Sequence, residues 1–239
     1  MAPNIRLNLI LAFFVGISIF GSFTTLMIAF YPPVAQENFL WRKPLTGLLF
    51  TLICISGITA IFFPKKCSEA FHTHQTEKPT VQKTKNSNFQ ETSITFEGHH
   101  PDCGRFSAHI TRIDGHVFCA ACTGLLLGAL IALAGTALYF FAEWNIVELG
   151  LSAILIGQIG VLLGFVQFKF KGVVRLILNA FFVFANFLTL AGIDKLAESI
   201  FIDLYVIALI VFWLLTRILL SQWDHWRICR TCKVSCELK

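Results

Sequence analysis

Long runs of apolar residues alternate with short polar connections along most of this chain. Six runs are long enough to cross the hydrocarbon core of a bilayer, which takes about 20 helical residues. Because a backbone in lipid can satisfy its hydrogen bonds only internally, each run is expected to be a helix. The six runs cover residues 5–30, 44–63, 117–141, 146–168, 173–192 and 200–220.

A polar stretch interrupts this pattern after the second run. Residues 64–98 are rich in Lys, Thr, Gln, Asn and Glu and have too few apolar side chains to form a core, so a flexible linker is predicted. The predicted fold class is all-α integral membrane, with about six transmembrane helices and a small cytoplasmic Cys/His metal-binding knuckle. Its parts are a two-helix N-terminal hairpin (1–63), the linker (64–98), the knuckle (99–122), a four-helix membrane bundle (117–222) and a Cys-rich C-terminal tail (223–239).

Composition supports a membrane location. The chain has 239 residues, of which 56% are hydrophobic and 14% are charged, whereas about 25% of the residues of an ordinary soluble domain are charged. The lipid bilayer is therefore the expected partner. Nucleic acid is not an expected partner, because no run of interleaved aromatic and basic residues marks a binding face.

The basic residues predict the orientation. With six spans both termini lie on one side, and that side receives all of the 19 Lys and Arg residues except Arg42, Lys43 and Lys195. Basic residues concentrate on the cytoplasmic side of membrane proteins. The termini, the Cys/His loop and the C-terminal cysteines are therefore expected in the cytoplasm, where thiols stay reduced and serve as metal ligands more often than as disulfides.

The first chemical motif is Cys119-Ala-Ala-Cys122 at the mouth of the third span. Thiols three residues apart share one face of a helical turn, and a helix N-terminus favours thiolate, the form that binds zinc. Upstream, Asp114-Gly115 predicts a two-residue hairpin turn. That hairpin would fold His109 and Cys103 back toward Cys119, as in a zinc knuckle.

A second motif at the C-terminus, Cys229-x-x-Cys232 followed by Cys236, lies on the same predicted side. Two C-x-x-C pairs on one face indicate a thiolate metal site. Histidines 99, 116 and 225 are weaker candidates than the main set. The predicted metal ligands are His100, Cys103, His109, Cys119, Cys122, Cys229, Cys232 and Cys236.

Zinc is the predicted metal because histidines accompany the thiols, and an iron–sulfur cluster is the alternative. The expected function is a membrane protein with a structural zinc site that joins the knuckle to the C-terminal cysteines. Whether the protein is an enzyme stays open, with a non-catalytic role favoured. The alternatives are a membrane redox protein that uses an iron–sulfur cluster or dithiols, a metal sensor or transporter, and an accessory subunit that binds other membrane proteins.

Polar residues inside the spans are few. Gln158, Asn179 and Asn186 are expected to form interhelical hydrogen bonds, with a polar pathway as the alternative. Asp203 is expected at the membrane interface, although it is the best candidate for a buried acid. No string of buried charges indicates an ion-coupled transporter. Two small-xxx-small pairs, Gly124/Gly128 and Gly160/Gly164, predict close helix contacts.

Residues 103–128 resemble the signature of an uncharacterised family of small prokaryotic polytopic membrane proteins, in which Cys-Ala-Arg-Cys-Thr-Gly-x-x-x-Gly opens a spanning helix. Here Ala121 replaces the arginine, and Phe106-Ser107 inverts the family's Ser-Phe order. The resemblance implies a membrane protein with a cysteine motif and implies no catalytic activity. It extends only to Cys103, Cys119, Cys122, Thr123, Gly124 and Gly128.

Overall fold

The computed structural model describes residues 3–33, 40–62, 96–97, 100–101, 109–113, 116–142 and 150–230. Within these ranges lie six long helices and two short antiparallel hairpins. The helices are α1 (Pro3–Phe30), α2 (Arg42–Phe62), α3 (Ala120–Thr136), α4 (Gly150–Val166), α5 (Gly172–Ala197) and α6 (Ile200–Arg230). The strands are β1 (Phe96–Glu97), β2 (His100–Pro101), β3 (Ile110–Ile113) and β4 (His116–Cys119).

All six helices are long and apolar enough to cross a membrane. Their outward faces carry large apolar side chains, with Phe13 63%, Phe20 65% and Phe201 76% exposed. Soluble proteins rarely expose continuous apolar surface of this kind, whereas lipid is its natural solvent. The helices therefore indicate a multi-pass membrane protein. They confirm the predicted all-α membrane class with six long apolar helices.

Helix α5 lies at the centre of the bundle and packs tightly against α3 and α4. A β-carbon on Gly124 of α3 would lie 2.2 Å from the carbonyl oxygen of Leu176, and one on Gly160 of α4 would lie 2.3 Å from Cβ of Ala185. Glycine at these positions lets the helix backbones approach more closely than any other residue would. Both predicted small-xxx-small contacts are confirmed.

The β3–β4 hairpin forms where the Asp-Gly turn predicts it. Ile113 pairs with His116 and Ile110 pairs with Cys119, so a two-residue connection joins the strands. This pairing corrects the predicted start of the third span. Residues 117–119 belong to β4, and α3 begins at Ala120.

Two helices extend beyond their apolar runs. Helix α5 continues to Ala197 and α6 to Arg230, whereas hydropathy predicted their ends at 192 and about 220. A hydropathy pattern ends where polar residues begin, but a helix needs no apolar side chains once it is outside the hydrocarbon core. These extra turns carry Asp194 and Asp224, both buried.

Candidate functional site

The predicted metal-binding motif forms a compact corner at one end of the bundle. Cys119 ends β4 and Cys122 lies in the first turn of α3, and their side chains are in hydrogen-bond contact. The amide of Ala120 donates to the carbonyl oxygen of His109 at 2.9 Å. The hairpin therefore brings His109 next to the cysteine motif, as its sequence predicts.

The last turns of α6 contact this corner through Asp224. Its Oδ2 lies 3.5 Å from Nε2 of His109 and 3.9 Å from Nη2 of Arg175, and its Oδ1 lies 3.0 Å from Nη2 of Arg227. The ring of His225 lies 5.0 Å from that of His109, measured between centroids. The hairpin and the C-terminal end of α6 are thus joined although more than 100 residues separate them in sequence.

Two buried guanidinium groups complete the corner. Arg175 is 1% exposed and Arg217 is 5% exposed, and both interact electrostatically with Cys119 and Cys122. Arg217 Nε donates to Oδ1 of Asn179 at 3.0 Å. We call this group the thiol–arginine cluster: His109, Cys119, Cys122, Arg175, Asn179, Arg217, Asp224 and Arg227.

Within the described residues, the thiol–arginine cluster carries an excess of positive charge. Arg227 and Asp224 pair at the rim, where the Arg227 side chain is 55% exposed. Among the described residues, no carboxylate other than that of Asp224 contacts Arg175 or Arg217. Nε of Arg175 is buried, and no described atom accepts a hydrogen bond from it. Buried charge of one sign is costly, so this corner suits a negatively charged occupant or thiolates.

Comparison with known protein families, characterised proteins and solved structures gives no match. What this corner does must therefore be argued from its own residues.

Only part of the predicted ligand set falls within the described side chains. His109, Cys119 and Cys122 lie together. Among described residues, no three His, Cys, Asp or Glu side chains form a group that could hold a metal ion. The other predicted ligands, and the weaker candidates His99 and His116, lie outside the described residues or are described only by their backbone: His100, Cys103, Cys229, Cys232 and Cys236.

A second polar cluster lies at the opposite end of the bundle, where the sequence groups Asp194, Glu198 and Asp203 but predicts neither the burial of the two aspartates nor their pairing with Arg42. Nη1 of Arg42 contacts Oδ1 of Asp194 at 2.5 Å and Oδ2 of Asp203 at 3.0 Å. The hydroxyl of Tyr139 donates to Oδ2 of Asp194 at 2.8 Å. Thr46 donates to Oδ2 of Asp203 at 3.4 Å. We call Arg42, Thr46, Tyr139, Asp194 and Asp203 the carboxylate cluster.

Irregular backbone positions the carboxylate cluster. Glu198 takes a left-handed conformation (φ 47°) that ends α5, so the chain reverses at once into α6 and brings Asp203 beside Asp194. At the end of α3, residues Ala137–Phe141 form a π-helical turn. Such turns are often found at functional sites, and this one contains the buried Tyr139.

Sequence reasoning missed these buried charges because it counted them with the connecting loops. Asp203, which the sequence marks as the best candidate for a buried acid, is fully buried by the protein near the start of α6. Of the three mid-span amides, Gln158 and Asn179 form hydrogen bonds between helices as predicted, and Asn186 does not. Gln158 donates to Thr189 across the α4–α5 contact at 3.5 Å, and Asn186 donates to the carbonyl oxygen of Phe182 on its own helix at 2.9 Å.

Proposed function

We propose that this is a membrane protein whose cytoplasmic face carries a structural zinc site. The site joins the knuckle of residues 99–122 to the C-terminal cysteines. The contact of Asp224 with His109 carries the proposal, because it brings the end of α6 to the cysteine motif. Cys229, Cys232 and Cys236 follow 5, 8 and 12 residues after Asp224 in the sequence.

The donor chemistry supports zinc. Two thiols in contact at a helix start provide half of a four-ligand set. A histidine beside a buried carboxylate resembles the arrangement that orients metal-binding histidines. A zinc ion with four thiolates carries two net negative charges, and one with three thiolates and His109 carries one. The buried guanidinium groups of Arg175 and Arg217 would balance either centre.

In this proposal each residue has a defined role. Cys119 and Cys122 hold the metal on the α3 side, and ligands from the tail hold it on the α6 side. Asp224 orients His109, and the two arginines stabilise the thiolate charge. When bound, zinc would supply a cross-link between the third and sixth spans, not a reaction.

Metal analysis of the purified full-length protein tests the proposal. We expect one equivalent of zinc in the wild type and loss of that same equivalent in Cys119→Ser and in Cys232→Ser. Cys54→Ser is the matched control, because Cys54 is buried in α2 away from both motifs and its replacement leaves the zinc bound. A wild type without stoichiometric metal would contradict the proposal, and loss of separate equivalents by the two variants would contradict a shared site.

A dithiol redox role is the second candidate. The contact between the side chains of Cys119 and Cys122 favours it, because two thiols this close can be oxidised to a disulfide. Metal-free protein that reversibly forms a Cys119–Cys122 disulfide in glutathione buffers, detected by a mass shift after alkylation, would support this role. Visible absorbance bleached by dithionite would indicate an iron–sulfur cluster instead.

The proposed orientation has its own test. A reporter that is active only in the cytoplasm should be active when fused to the C-terminus and inactive when inserted into the connection between α3 and α4. The opposite pattern would place the cysteines on the oxidising side and would remove the basis for reduced thiols.

A further inference from the structure

The carboxylate cluster has no part in the proposed zinc site. Among the described residues, Asp194 and Asp203 face a single guanidinium, that of Arg42, and all three side chains are at least nine-tenths buried. If both acids were ionised, the cluster would carry one uncompensated negative charge inside the protein. Such a charge is costly in a low-dielectric interior, so a bound proton or another cation is required.

The hydrogen bonds divide unequally between the two acids. Asp194 accepts from Arg42 at Oδ1 and from Tyr139 at Oδ2, so both of its oxygens are satisfied as in an ionised carboxylate. Asp203 accepts only at Oδ2, from Arg42 and from Thr46. Its Oδ1 is buried and receives no hydrogen bond from the described residues.

The two acids also lie side by side, because one nitrogen of Arg42 contacts both of them, at 2.5 Å to Asp194 and at 3.0 Å to Asp203. An ionised carboxylate is only an acceptor, so two ionised acids here could not hydrogen-bond to each other. A hydrogen bond between them becomes possible when one acid carries a proton. That proton would give the unsatisfied carboxyl group of Asp203 a partner and would remove the excess charge.

We propose that the carboxylate cluster is a proton-binding site, in which Asp203 carries the proton and donates it to ionised Asp194. The proton comes from water at that membrane surface and returns there, and no electron is transferred. The site joins four helices, since Arg42 and Thr46 come from α2, Tyr139 from the end of α3, Asp194 from α5 and Asp203 from α6. Proton release would therefore change the charge at the point where these helices meet.

Other charged groups at this end bear on the pH response. Lys43 of α2 lies over the ring of Tyr139, with Nζ 5.1 Å from the centroid. Lys195 of α5 is exposed, and Glu198, which directly follows α5, is half-buried. Tyr205 of α6 contacts Thr24 of α1. Among these described groups, only Glu198 is a further acid, and it provides the control.

Infrared spectroscopy of the full-length protein in lipid tests the proposal. We expect the C=O band of a protonated carboxylic acid at neutral pH, sensitive to deuterium exchange and lost at alkaline pH. Asp203→Asn removes the band, and Glu198→Gln keeps it. Asp203→Asn should also fold normally, because the amide can donate to Asp194 as the protonated acid does. Its melting temperature should lose the decline with rising pH that the wild type shows, because unfolded Asp203 releases its proton at a lower pH than the native site does.

Three results would overturn the proposal. The first is the absence of a carboxylic acid band at every pH at which the wild type is folded. The second is a band that survives in both Asp203→Asn and Asp194→Asn. The third is a rise in melting temperature with sodium, potassium or calcium that Asp203→Asn abolishes while no acid band is seen, which would make a metal cation the occupant.

Discussion

The two ends of the helix bundle are built from the same two helices and carry opposite excess charge. Arg175 and Asp194 lie at opposite ends of α5, about 28 Å apart at the helical rise per residue. That span approaches the hydrocarbon thickness of about 30 Å. Asp203 and Asp224 occupy corresponding positions on α6. Both clusters therefore lie near the ends of the membrane-spanning helices, where the protein buries them.

The two ends differ in the sign of the charge that would balance their buried ionised groups. The thiol–arginine cluster has more guanidinium groups than carboxylates, and thiolates can supply the missing negative charge. The carboxylate cluster has more carboxylates than guanidinium groups, and a proton can supply the missing positive charge. The same rule, that buried charge must be balanced, points to a metal–thiolate centre at one end and to a proton at the other.

Removing the only cation of the carboxylate cluster should have the largest effect on stability. Arg42→Gln leaves Asp194 and Asp203 without their shared partner, and breaking a buried pair costs about 3–5 kcal/mol. Equilibrium unfolding in mixed micelles measures this loss. Lys195→Gln is the control, because Lys195 is exposed at the same end and its replacement should change stability by less than about 0.5 kcal/mol.

A second substitution distinguishes charge imbalance from lost packing. Adding Asp194→Asn to Arg42→Gln removes the ionised acid that the loss of Arg42 leaves unpaired, so it should recover part of the lost stability. If the double variant is as unstable as the sum of the two single variants, the acids do not interact through Arg42 and the charge argument for this end is wrong.

Gly124→Ala should disrupt the opposite end and leave the carboxylate cluster intact. The new β-carbon would lie 2.2 Å from the carbonyl oxygen of Leu176, so the α3 and α5 backbones must separate, and overpacking of this kind costs about 1–3 kcal/mol. Since Gly124 lies two residues after Cys122, zinc content should fall as well. Gly16→Ala is the control, because a β-carbon on Gly16 meets nothing within 4 Å. Equal losses in both variants would contradict a close α3–α5 contact.

Arg217→Gln should cost less stability than Arg42→Gln although both residues are buried. The change loses hydrogen bonds from a charged group to Asn179, worth about 2 kcal/mol, but it also relieves the repulsion between Arg217 and Arg175. Zinc affinity should fall about 10- to 100-fold, as it does when a supporting partner of a metal site is lost. Competition with a chelator measures the affinity, and unchanged binding would show that Arg217 does not balance thiolate charge.

The fold followed from the sequence wherever hydropathy or turn chemistry acts locally. Six apolar runs gave six helices, Asp114-Gly115 gave the hairpin turn, and the small-xxx-small pairs gave the contacts around α5. These features depend on the length and the side-chain volumes of neighbouring residues. A local pattern is therefore enough to find them.

The buried charges could not be found in this way. Arg42, Asp194 and Asp224 each lie next to the end of an apolar run, where a charged residue is normally solvated. Their burial depends on which helices pack together and on how far α5 and α6 extend. The π-helical turn that contains Tyr139 has no sequence signal that we recognise. The sequence did contain one indication of this cluster, because Arg42, Asp194 and Asp203 all fall on the same predicted side of the membrane.

The smallest expected effect comes from Tyr139→Phe at the carboxylate cluster. The variant keeps the buried ring but loses the hydrogen bond to Oδ2 of Asp194, which should cost about 1–2 kcal/mol because the acceptor is charged. Tyr205→Phe is the matched control, since its hydroxyl contacts Thr24 at an exposed position and its loss should be close to neutral.

The same two variants should differ in the infrared spectrum. If Asp194 is the ionised acid, Tyr139→Phe removes a hydrogen bond that stabilises its anion and should shift the frequency of the carboxylic acid band. Tyr205→Phe should leave that frequency unchanged. A Tyr139→Phe protein with unchanged stability and an unchanged band would show that Asp194 does not rely on this donor, and the assignment of the proton to Asp203 would then lose its main support.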